Sequence, residues 1–227
     1  MSTISAARSL VRTLRPDDRR AIALVSISVA VVGVSYGLSA AGVGFPLWQI
    51  LLLAVAVFGA SAEILFVGVI AAGGAPLAAA FAALLVNARA LPYGMTVGTF
   101  LPRGVLRLLG AHLANDETVA LAMSGETRER RRALFWVSGA AVALAWPLGA
   151  LVGALLDDAV ADPAVLGLDA VFPAVLLALA MPSLRNARTA AAASAGGVVA
   201  LAVLPIAPLG LAPVLALAGL VVAGRRA

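Results

Sequence analysis

The segment L-L-V-N-A-R-A-L-P-Y-G, residues 84–94, places Asn87 and Arg89 inside a long apolar run and follows them with Pro92, Tyr93 and Gly94. An arginine held at bilayer depth costs about 2.5–3.5 kcal/mol or more, so it must meet an acid, a water-filled cavity or a polar substrate. Pro92 lacks the amide that would bond the carbonyl of Ala88. The spacing therefore predicts a break just past Arg89, a freed carbonyl at Ala88, and a hinge at Pro92 and Gly94. Tyr93 falls one turn after Arg89 and shares its face. Such a segment is suited to holding the carboxylate of a small substrate. A structural ion pair, or snorkelling of Arg89 to the interface, is the plainer alternative.

The acids fall into three places. Asp116 and Glu117 sit in N-D-E-T, residues 115–118, with His112 one turn before Asp116 and expected on the same helical face. Adjacent residues on a helix point about 100° apart, so at most one of the two acids readily faces a given cavity. Either could pair with Arg89 or carry a proton, and a helix start at the interface accounts equally for both. Glu63 follows Gly59, Ala60 and Ser61, small residues that permit close backbone approach. It pairs with Arg89, titrates during transport, or forms a purely structural pair. Asp169, with Pro173 downstream, repeats the theme of a polar group plus a helix breaker, but its place at the start of a run favours an interfacial N-cap.

The elements that must position these groups are apolar. The chain has 227 residues, 63% hydrophobic and 12% charged, with a mean hydropathy of +1.06. That lies far above the composition of soluble domains, and a membrane helix needs about 20 such residues. Apolar runs at about 21–43, 47–72, 77–101, 133–156, 167–184, 189–205 and 207–223 make seven candidate spans. Residues 104–124 make an eighth only if Arg107, His112, Asn115, Asp116 and Glu117 face protein. The expected fold is all-α: a polytopic integral membrane protein of about seven or eight transmembrane segments, one or more of them broken, forming one transmembrane transporter domain over residues 1–227.

The net charge of +5 would suggest nucleic acid in a soluble protein, but here the arginines cluster between apolar runs, where they set topology. Arg128, Arg130, Arg131 and Arg132 form the densest basic loop, which places that loop in the cytoplasm. The basic segment 1–20 is placed there too, and its residues 4–14 form an amphipathic piece on the anionic inner surface or a frayed tail. Four crossings before Arg128 require residues 104–124 to span; otherwise 77–101 also fails to cross fully. Gly33-x-x-x-Gly37 is echoed by Gly149-x-x-x-Gly153, and Asn87-Ala88-Arg89 by Asn186-Ala187-Arg188, which raises an internal repeat as a possibility. There is no cysteine and a single histidine, and neither H-E-x-x-H nor G-x-S-x-G occurs. An intramembrane hydrolase or a metal centre is therefore not expected, and no cofactor is implied.

Taken in order, Gly59-Ala60-Ser61, Asn87 and Arg89 with Tyr93 and Gly94, Asp116-Glu117-Thr118 with Ala120 and Leu121, and Gly167-Leu168-Asp169 with Pro173 resemble the motifs of the AzlC family nearly end to end. These are the large subunits of two-component branched-chain amino-acid exporters. Two positions depart from the family pattern: Ala90 stands where a histidine is usual, and Ala62 where a glutamine is usual, with Glu63 beside it. The resemblance implies export driven by an ion gradient, a bacterial plasma-membrane location with a cytoplasmic N-terminus, and a small AzlD-type membrane subunit as obligate partner. It implies that Gly59, Ser61, Asn87, Arg89, Tyr93 and Gly94 contact an amino-acid substrate. Glu63, Asp116, Glu117 and Asp169 are the candidates for ion pairing or proton coupling, with lipid as the other partner and no nucleic acid. The alternatives are transport of a different small zwitterion or organic anion, and a non-transporting membrane scaffold.

Overall fold

The computed structural model describes residues 9–88, 90–102, 104–157, 177, 181, 184–206, 215–219 and 221. Among these the chain is all helical: α1 Pro16–Gly42, α2 Leu47–Ala56, α3 Ala60–Ala71, α4 Pro76–Asn87, α5 Ala90–Gly98, α6 Val105–His112, α7 Asp116–Met123, α8 Arg128–Leu156 and α9 Ala187–Val203, with a 3-10 turn at Ala216–Gly219. Three stretches are long and apolar enough to cross a membrane: α1, α8, and α4 with α5 taken together. The other expected crossings fall on shorter helices or outside the described residues.

α1 and α8 form the backbone of the fold. Pro16 opens α1 in the first turn, where its missing amide costs nothing, and Asp18 accepts the Arg15 amide at 2.9 Å. Ser26 and Ser28 return their hydroxyls to the carbonyls of Ile22 and Leu24, which hides both from an apolar surround. Thr127 caps α8 by accepting from the Arg130 amide. At this end Arg130 grips Asp18 with two bonds, at 2.7 and 3.1 Å.

Further along, the two helices touch backbone to backbone. A Cβ at Gly33 would lie 2.8 Å from the carbonyl oxygen of Trp146 and 3.1 Å from the Cα of Gly149, while one at Gly37 would overlap Ala150 and one at Gly153 would overlap Val34. The two glycine pairs that echo one another in the sequence are thus the two halves of one interface. Because Asp18 meets Arg130 and Gly37 meets Ala150, α1 and α8 run in the same direction. The arginines at 12, 15, 19 and 20 and those at 128–132 consequently share one side, as their clustering leads one to expect. The docking extends upstream: residues 9–13 are helical, and Leu14 is buried with Ile22, Ala133 and Leu134.

Four expectations change. The run 47–72 is not one continuous helix but two, of 10 and 12 residues, separated at 57–59. Residues 104–124 are likewise two helices of 8 residues, each rising about 12 Å and too short to cross alone. His112 ends α6 and Asp116 begins α7, so the two do not share a helical face. The second sequence echo is not structural: Asn186 caps the start of α9 by accepting from the amides of Arg188 and Thr189, whereas Asn87 ends α4.

Candidate functional site

Three helix breaks meet against the α1–α8 pair. The first, at 57–59, is marked by Phe58, whose φ of +51° is a backbone state that non-glycine residues rarely hold. The second follows Asn87, where α4 ends and Ala88 forms a turn before α5 begins at Ala90. Pro92 falls in the first turn of α5, where it leaves no amide bond unmade. The carbonyl of Ala88 is not free as expected, since it accepts the Leu91 amide at 3.1 Å. The third break, at 113–115, is closed by reciprocal bonds: Asn115 Oδ1 accepts the Thr118 amide at 2.9 Å and Thr118 Oγ1 accepts the Asn115 amide at 3.0 Å.

Each break is tied to the next. A Cβ on Gly59 would lie 2.9 Å from Asn87 Oδ1, so only glycine leaves the Asn87 amide its present place. The Tyr93 hydroxyl donates to the Asp116 carboxylate, joining α5 to α7. His112 reaches back to the first break, with Nε2 2.9 Å from the carbonyl oxygen of Val55 and its ring stacked on Phe58 at 5.4 Å.

The breaks line a half-open cavity of about 560 Å³, whose mouth includes the exposed Leu24, Ile27 and Val31 of α1, within the usual range for a small-molecule site. Its two walls differ chemically. Ser61, Asn87, Tyr93, Asn115, Asp116 and Glu117 make one polar wall, and the N-terminal turns of α3, α5 and α7 all contribute to it. Helix N-termini carry a partial positive charge, while Asp116 and Glu117, both of which line the cavity although only one was expected to, bring negative charge to the same wall. A group bearing both an anion and a cation finds partners for each. The facing wall is aliphatic and aromatic, from Val25, Val29 and Val32 of α1, Ile64 of α3, and Val142 and Trp146 of α8.

Of the residues expected at the site, Gly59, Ser61, Asn87, Tyr93, Asp116 and Glu117 come together in this wall. Gly94 is not part of it, and a Cβ there would meet open space. Pro92 is exposed, and its carbonyl accepts from Thr96. Arg89 and Asp169 lie outside the described residues, as do Gly167, Leu168 and Pro173. Of the two departures from the family pattern, Ala90 lines the cavity, whereas Ala62 is buried away from it.

Glu63 stands behind the wall. It is 1% exposed and accepts from the Trp146 indole N–H at 3.2 and 3.3 Å and from the Gly59 amide at 2.9 Å. Tyr36 stacks on Trp146 at 5.2 Å, and its buried hydroxyl lies beside the same carboxylate, outside hydrogen-bond geometry. Sequence reasoning passed over Trp146 and Phe58. The signal available was chemical: a lone acid deep in an apolar run needs donors, and the indole at 146 is one of few there.

Among the described residues the all-helical architecture, the long apolar helices and the half-open, two-walled cavity are those of an integral membrane protein. The family model described as AzlC protein matches residues 25–160, so the chain belongs to the AzlC family. That match takes in every cavity residue named above. No significant match was found among curated proteins or solved structures.

Proposed function

We propose that the protein is the large subunit of a secondary transporter that exports branched-chain or similar apolar amino acids. The observation that carries this reading is the division of the cavity into a polar wall of helix starts and acids and an apolar wall of Val25, Val29, Val32, Val142 and Trp146. The substrate ammonium is taken by Asp116 or Glu117. Its carboxylate is held by Arg89, whose sequence neighbours Asn87 and Ala90 stand in the wall, assisted by the amides that open α3. The aliphatic side chain packs on the α1–α8 wall. Family membership supports a small membrane subunit of the AzlD type as partner.

The test is efflux of labelled leucine from cells producing both chains. Export should exceed that of cells lacking the large chain. It should collapse in Arg89→Ala while the two subunits still copurify. Undiminished export in Arg89→Ala would remove the role given to the arginine, and no export with either chain set would favour a scaffold.

A further inference from the structure

In an unbroken helix through residues 47–71, the amide of Gly59 would bond the carbonyl of Val55, four residues earlier. The two are not bonded to each other. The Val55 carbonyl faces His112 Nε2 at 2.9 Å, and the Gly59 amide donates to Glu63 Oε1 at 2.9 Å. Two side chains, one from α6 and one from within α3, have taken the two halves of a single missing helical bond.

We propose that His112 and Glu63 are positioning residues that hold the helix of residues 47–71 in its broken form, by taking a carbonyl and an amide that a continuous helix would pair with each other. The physical need is plain: an unpaired backbone group at membrane depth costs several kcal/mol, so a break survives only where partners are supplied. The break also carries strain. Phe58 is held at φ +51°, a conformation that persists only where the surroundings over-determine it, and the His112 ring stacks on its ring at an inclination of 28°. Because Nε2 faces a carbonyl oxygen, it must carry a proton and donate. His112 is exposed, so its placement is not a consequence of burial.

The consequence reaches the cavity. With the break in place, Phe58, Gly59, Ala60 and Ser61 line the wall, and the amides of Ala62 and Glu63 turn back onto the Gly59 carbonyl. A continuous helix would re-pair this backbone with the preceding turn and change the wall. On this proposal His112 and Glu63 select the broken form of the segment over the continuous one.

The chain has no cysteine, so spin labels can be placed cleanly at Trp48→Cys, 63% exposed, and Ala71→Cys, also exposed. A continuous helix separates these Cα atoms by about 34 Å. Pulsed electron–electron resonance on the full chain in lipid nanodiscs should give a main population shorter than that. His112→Phe keeps a stacking ring but removes the donor. It should raise the population near 34 Å about two- to tenfold relative to the broken form, as expected for one lost hydrogen bond. His112→Gln, which restores an N–H donor, should return the distribution toward that of the parent. An unchanged distribution in His112→Phe, or a Gln variant that behaves like Phe, overturns the proposal. The measurement needs no substrate, so its outcome is independent of whether the protein exports amino acids.

Discussion

The side-chain oxygen of Asn87 lies over the Cα of Gly59, so that a methyl group placed there would be 2.9 Å away. Two residues from separate broken helices thereby fix the same corner of the cavity. Gly59→Ala should leave assembly intact, because the amide of Asn87 can swing aside, yet lower efflux about tenfold by displacing it. In Gly59→Ala/Asn87→Ala the loss should be no greater than in Asn87→Ala alone, since both changes remove one interaction. Additive losses, measured as initial efflux rates, would show that the two act separately.

The α1–α8 interface is the most sensitive point for stability. Gly37→Val forces side-chain atoms into the backbone of Ala150 and should destabilise the protein by at least about 1–3 kcal/mol. Gly68→Ala, on α3 where a Cβ meets nothing, should be neutral or stabilise by up to about 1 kcal/mol. Steric-trap or denaturant unfolding in detergent reads both. A tolerated Gly37→Val would contradict the close approach of the two helices.

At the arginine-rich end, the Asp18–Arg130 pair is 7% and 13% exposed, whereas Arg15–Glu126 is 58% and 69% exposed. Asp18→Asn should lower the thermal midpoint, and exchanging the charges in Asp18→Arg/Arg130→Asp should recover part of the loss. Glu126→Gln should change little, as exposed pairs contribute little.

How legible all this was in the sequence depended on the kind of break. Pro92 pointed to a break just past Arg89, but α4 ends earlier, at Asn87, the chain is helical from Ala90 on, and the carbonyl of Ala88, expected to be free, is taken by Leu91. The break at 57–59 lies in an apolar run with no proline, and its left-handed residue is a phenylalanine rather than the adjoining glycine. Its partners, His112 and Glu63, were visible as polar residues, but which backbone groups they serve is settled only by tertiary packing. The apolar wall was not legible for another reason. A membrane helix is apolar on both its lipid-facing and protein-facing sides, so periodicity gave no sign that Val25, Val29 and Val32 face inward.

Trp146 offers the cavity its ring while its N–H is committed to Glu63. Trp146→Phe keeps a ring but strips a buried carboxylate of a donor, which should cost about 1–3 kcal/mol. Adding Glu63→Gln should recover part of that loss, because a neutral amide suffers less without the indole. Comparing the two unfolding free energies in a double-mutant cycle checks this, and full additivity would contradict it.

The central claim is that the space between the three helix breaks holds the substrate. In the cysteine-free chain, single cysteines at Ser61 and Ala90 report on the polar wall, with Leu108, 73% exposed on α6 and outside the cavity, as the reference. The rate of thiol modification in the assembled complex should fall severalfold at 61 and 90 when leucine is added, and stay constant at 108. Unprotected labelling at both wall positions, in a preparation that still exports leucine, would place the substrate elsewhere.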